Sequence, residues 1–79
     1  MLFTLWDIET NNLVAERTER RDALALVMQG IKENGLHDSD ALSLDAENDQ
    51  GEVTTIAYGS ELAELARREF SAEHSVPGL

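Results

Sequence analysis

Ala23-Leu24-Ala25-Leu26-Val27-Met28-Gln29-Gly30-Ile31 decides the fold, because its apolar residues at 23, 24, 27, 28 and 31 follow the spacing of one buried helical stripe. The pattern predicts a helix opened by Thr18 as N-cap and running to about Glu33. Lys32 falls in its last turn, and Gly35 stands where helices commonly end in left-handed backbone. A glycine inside a helix costs about 1 kcal/mol against alanine, so Gly30 beside the apolar stripe points to a close helix–sheet contact.

Working outward, the segment before this helix reads as a hairpin. Leu2 to Ile8 is rich in aromatic and β-branched residues, Thr10-Asn11-Asn12 supplies the turn, and Leu13 to Arg17 resumes an extended pattern. After the helix, Leu36-His37-Asp38-Ser39-Asp40 reads as a polar connection. A third strand, Ala41 to Ala46, puts Leu42, Leu44 and Ala46 on one face. Glu47-Asn48-Asp49-Gln50-Gly51 is a turn in which Gly51 supplies positive φ, and Val53 to Tyr58 is a fourth strand. Ser60 is then expected to cap a second helix, with Glu61 near its positive end and Leu62, Leu65, Ala66 and Phe70 as its buried stripe.

The order is therefore ββαββα, an α+β chain folded in two layers: a four-stranded antiparallel sheet with two helices on one face. If strand 3 pairs with strand 1, the strand order 2-1-3-4 makes every neighbouring pair antiparallel. Residues 1–74 are read as one domain and 75–79 as a short C-terminal tail. The expected core is Phe3, Leu5, Leu24, Val27, Ile31, Leu42, Leu44, Leu62, Leu65 and Phe70. A shift of 39 aligns Leu5 with Leu44, Val14 with Val53, Ala23 with Leu62 and Ile31 with Phe70. Any two ββα units would align in this way; an ancient duplication is the other reading and implies a pseudo-two-fold arrangement.

The chain has 79 residues, 16 of them acidic and six basic, for a formal charge of -10. That balance argues against binding nucleic acid or anionic membranes, both of which call for a basic face. No apolar run approaches the roughly 20 residues that span a bilayer. Met1-Leu2-Phe3-Thr4 lacks the basic region and cleavage site of a signal peptide, so a cytoplasmic location is expected. Cysteine is absent, which removes disulfides, thiolate chemistry and cysteine–zinc sites. A hydrophobic share of 42% is too high for a disordered acidic tail.

Alternation along the first strand sends Phe3 and Leu5 one way and Leu2, Trp6 and Ile8 the other. Both sets are apolar, yet the helices of a two-layer domain cover one face only. Leu2, Trp6 and Ile8 are thus expected to form an interface with a protein partner or with a second copy in a homodimer. The alternative is that the C-terminal tail, with Val76 and Leu79, folds across Trp6.

The charge is uneven. Residues 1–35 carry a balance of -2 and residues 36–79 a balance of -8. Asp38, Asp40, Asp45, Glu47, Asp49 and Glu52 follow one another without an intervening base and are expected to form an acidic surface. The alternate oxygens of Asp45, Glu47 and Asp49 suggest a calcium loop, but an EF-hand needs Gly and Glu where this chain has Gln50 and Ile56. Imitation of a phosphate row, to occupy a DNA-binding protein, is a second reading. A solvated hairpin that keeps the chain soluble is the plain one.

Little points to catalysis. His37 lies in the polar connection and His74 near the C-terminus, and no glycine-rich phosphate loop is present. Arg17, Arg20 and Arg21 cluster at the start of the first helix, where they oppose its dipole; pairing with acids such as Glu16 and Asp22 is expected, and anion binding is the other reading, while Arg67 and Arg68 suit the negative end of the second. No cofactor and no metal site is expected, and the chain is read as a non-enzymatic interaction module.

The string Leu5-Trp6-Asp7-Ile8-Glu9-Thr10-Asn11-Asn12-Leu13-Val14, followed by Asp22-Ala23-Leu24, resembles short uncharacterised bacterial proteins. In those, a hairpin with a Thr/Asn/Gly turn leads into a helix opened by an acidic-Ala-Leu step. The second hairpin, with Gly51-Glu52-Val53, fits the same pattern, and the likeness covers about two-thirds of the chain. The layout is similar to that of ββαββ domains of unknown function, to which this chain adds a second helix. The resemblance implies a fold and no activity.

Overall fold

Hairpin, helix, hairpin and helix follow one another as the apolar periodicity requires. A computed structural model describes residues 1–74: β1 Leu2–Asp7, β2 Asn12–Arg17, α1 Arg20–Asn34, a 3-10 helix Leu36–Ala41, β3 Leu42–Glu47, β4 Val53–Tyr58 and α2 Gly59–His74. The expected tail, with Val76 and Leu79, lies outside the described residues.

The strands form one antiparallel sheet in the order β2-β1-β3-β4. Leu5 pairs with both Ala15 and Leu44, and Leu44 pairs with Ala57, so these four side chains share one face. Onto that face the helices lay Ala23, Leu24 and Val27 of α1 and Leu62 and Ala66 of α2, forming one buried cluster. Phe3, Ile31, Leu42, Leu65 and Phe70 pack around it partly buried, so every expected core residue lies in or against the core. Two layers account for the smallest principal extent of 16 Å.

Both turns use the chemistry of short polar side chains. The Asp7 carboxylate accepts the backbone N–H groups of Glu9 at 3.0 Å and Thr10 at 3.3 Å, and Asn11 takes φ 58. In the second turn Asn48 Oδ1 accepts the N–H groups of Gln50 and Glu52, each at 2.9 Å, while Gly51 takes φ 82.

Several local expectations change. The first helix is capped by Glu19, in extended backbone with no side-chain cap bond, and Thr18 lies outside it. Helix α2 begins at Gly59, so Ser60 sits within the first turn and is not its cap. The polar connection is a 3-10 helix, its first turn closed by the Asp38 N–H donating to the Gly35 carbonyl at 3.0 Å. Gly30 faces that helix and not the sheet: a Cβ there would collide with the Asp38 carboxylate, which accepts from Asn34 Nδ2 at 3.2 Å. Arg20 reaches across to Glu69 of α2 at 3.9 Å, and the Arg21 guanidinium lies 5.6 Å from the centre of the Phe70 ring. Helix-to-helix contact, and not only pairing with sequence neighbours, engages these arginines.

Each edge strand carries a bulge. Leu5 faces Ala15 but Trp6 faces Leu13, leaving Val14 extra; Leu44 faces Ala57 but Asp45 faces Thr55, leaving Ile56 extra. The two bulges stand at matching places beside the directly paired Leu5 and Leu44. The counterpart of Val14 is therefore Ile56 and not Val53. The repeat spacing is 39 between Leu5 and Leu44 but 42 between Ala15 and Ala57, because of the register through the second hairpin.

Candidate protein interface on the open sheet face

Pairing fixes which side chains stand on the face the helices leave bare. One row across the sheet is Leu13, Trp6, Ser43 and Tyr58; another is Glu16, Thr4, Asp45 and Thr55; a third is Leu2, Glu47 and Val53. Ile8 follows β1 in the same alternation, and its N–H extends the ladder to the Ala41 carbonyl at 2.7 Å.

The three residues expected at an interface fall together on this face. Leu2 and Trp6 are half-buried, while Ile8 is 51% exposed. The Trp6 indole lies along its own strand, donating Nε1–H to Thr4 Oγ1 at 3.1 Å. That contact, with the flanking side chains, explains why Thr4 and Ser43 are buried on a face over which no helix lies among the described residues. Leu13 and Tyr58 share the row of Trp6, the latter 61% exposed, while Val53 ends the row of Leu2 beyond the polar row of Thr4 and Asp45. The sequence reading missed these three. The bulges are the reason, since Leu13-Val14-Ala15 and Thr55-Ile56-Ala57 hide the alternation that would have assigned their faces.

The six acids of the expected acidic surface are divided. Asp45 and Glu47 stand half-buried on the open face, where Ser43 Oγ donates to Asp45 Oδ1 at 3.3 Å. Asp49 and Glu52 occupy the second turn; Asp49 lies 3.8 Å from the N-terminal ammonium and Glu52 accepts from Asn48 Nδ2 at 2.8 Å. Asp38 packs beneath α1, and Asp40 lies beside His37. They form no single row.

Charge is instead divided between the α-helices and the rest of the chain. The two helices hold five bases and six acids, whereas all other segments hold one base and ten acids. The α-helices are thus nearly neutral at -1, and the strands, turns and 3-10 helix together carry -9. Arg17, the remaining base, pairs with Phe3 and so belongs to the helix side of the sheet.

Two other concavities deserve a chemical reading. A cleft of about 640 Å³ between the 3-10 helix and α2 is lined by His37, Asp40, Ser60, Glu64, Arg67 and Arg68. His37 Nδ1 lies 3.2 Å from Asp40 Oδ2, but the two side chains are 95% and 61% exposed, so water screens the pair. Arg68 is held by Glu64 at 3.2 Å, one helical turn away. A groove of about 590 Å³ between the helices is lined by Met28, Gln29, Lys32, Arg67 and Phe70. Among the described residues no three His, Asp or Glu side chains converge as metal ligands. No helix among them is long and apolar enough to cross a membrane.

Comparison with protein-family models, curated proteins and solved structures found no match to this chain.

Proposed function

We propose that this protein is a non-enzymatic protein–protein interaction module, an adaptor or regulator, that works through the open face of its sheet. One observation carries the reading. An antiparallel sheet covered on one side normally alternates to polar residues on the other, yet here Leu2, Trp6, Ile8, Leu13, Val53 and Tyr58 stand on the uncovered side. Exposed apolar residues of this kind, with Trp6 on a central strand and Tyr58 on an edge strand, mark docking sites. The covering chain is a second copy in a homodimer or a different protein. A cysteine-free composition suits work in the reducing cytoplasm.

The charge of -9 outside the helices supports a second reading, an acidic mimic of nucleic acid that occupies a basic groove. Affinity capture from cell lysate, repeated with Trp6→Ala and with Arg67→Ala on the helical layer, separates the two. Docking on the apolar face predicts partners that survive high salt and are lost with Trp6→Ala alone. Capture of DNA-binding proteins that salt abolishes and Trp6→Ala leaves intact would favour mimicry. Turnover of a small substrate by the purified chain would defeat both.

A further inference from the structure

The open face carries its own indication of what covers it. Among its apolar residues stand Glu16, Asp45 and Glu47, and none of its strand positions holds Lys or Arg. We infer that this face receives a basic amphipathic helix of another protein and not a second copy of this chain. The inference rests on the interaction-module reading and names its partner's chemistry.

Charge decides against the second copy. Two such faces in contact would place six carboxylates, three from each chain, around a dry apolar centre with no base to meet them. Asp45 and Glu47 are already half-buried, so an approaching chain would strip more water from both. The five helical bases lie in the opposite layer and Arg17 faces that way too, so none is placed to compensate. Strand addition at an edge is also discouraged, because the bulges at Val14 and Ile56 interrupt the ladders of both edge strands.

A Lys- or Arg-flanked apolar helix answers each of these points. Its apolar stripe would cover Trp6, Leu13 and Tyr58, as α1 and α2 cover the other side, while its bases reach Glu16, Asp45 and Glu47. A six-residue strand is roughly 20 Å long, a length that about 14 residues of helix would span. Glu16, Asp45 and Glu47 would also steer a basic segment towards this face.

The test is titration of the full chain with a synthetic amphipathic Leu/Lys peptide of about 14 residues, followed by backbone amide shifts, alongside sedimentation equilibrium of the chain alone. The expected result is saturable binding whose shifts centre on Trp6, Leu13, Ser43 and Tyr58, with a Leu/Glu peptide of the same pattern failing to bind. Trp6→Ala should weaken binding about tenfold or more, with Tyr58→Ala serving if that variant does not fold. Asp45→Asn with Glu47→Gln should weaken it several-fold at low salt, and Glu33→Gln with Glu61→Gln in the helices should not. Shifts spread over turns and helices, with equal loss from both acid pairs, would reduce the effect to bulk charge and overturn the inference. A chain already dimeric through Trp6, which the peptide does not displace, would overturn it while leaving the interaction face in place. A monomer that binds neither peptide would overturn both.

Discussion

Leu5 and Trp6 are adjacent in β1, yet they belong to two different chemical worlds. Leu5 is 2% exposed, paired with Leu44 at 0% and roofed by Leu24, Val27 and Leu62. Trp6 looks the other way, across Leu13, Ser43 and Tyr58, with no element of the described chain above it. On the covered face the buried apolar side chains are aliphatic, with Phe3 at their margin, and interlock with helices. On the open face they are larger, include the single Trp and single Tyr, and are interspersed with carboxylates. Burial on one side holds the fold; the other side leaves apolar surface exposed among the described residues. The two sides should therefore respond to mutation in opposite ways, one in stability and the other in binding.

The largest effect is expected on the covered face. Leu44→Ala should cost about 2–5 kcal/mol in urea unfolding, a large share of the stability of so small a domain. A cost below that range would mean the helices seat loosely and the two faces differ less than their burial indicates. Gly51→Ala, which forces a Cβ into backbone at φ 82, should cost about 1–2 kcal/mol while leaving partner capture intact. That variant separates general destabilisation from loss of the open face. Trp6→Ala should cost only about 1 kcal/mol, from its hydrogen bond to Thr4 and partial burial, and should nevertheless abolish capture. Smallest of all, Asp45→Asn with Glu47→Gln should stabilise the isolated chain by a few tenths of a kcal/mol, by removing like charge from the sheet. A loss of stability on that change would show the carboxylates to be structural and would sharpen the boundary between the two faces.

The sequence made the covered face legible because two physical signals agreed there. The stripe from Ala23 to Ile31 and the alternation of Leu42 and Leu44 each demanded burial, and the order 2-1-3-4, the simplest one that makes every pair antiparallel, lets both helices meet one face. Leu2, Trp6 and Ile8 were assigned to the opposite face by the same alternation in β1, a strand that is itself regular. The edge strands were harder because a bulge shifts the period by one residue, so Leu13, Val53 and Tyr58 gave no consistent face. Cap positions failed for a different reason. Thr18 and Ser60 have the right chemistry, but the helices start within two residues of them, at Arg20 and Gly59, and cap chemistry alone does not fix the first residue. The six acids of the tract are near in sequence but not in space: the 3-10 helix, β3 and the second turn carry them to separate places.

Quenching of Trp6 fluorescence by acrylamide tests the central claim most directly, since it is the only Trp in the chain. An open face predicts ready quenching in the dilute free protein and clear protection when the basic amphipathic peptide is added. Protection from the outset at the lowest concentrations, unchanged by peptide, would contradict the account and show that the chain covers its own open face.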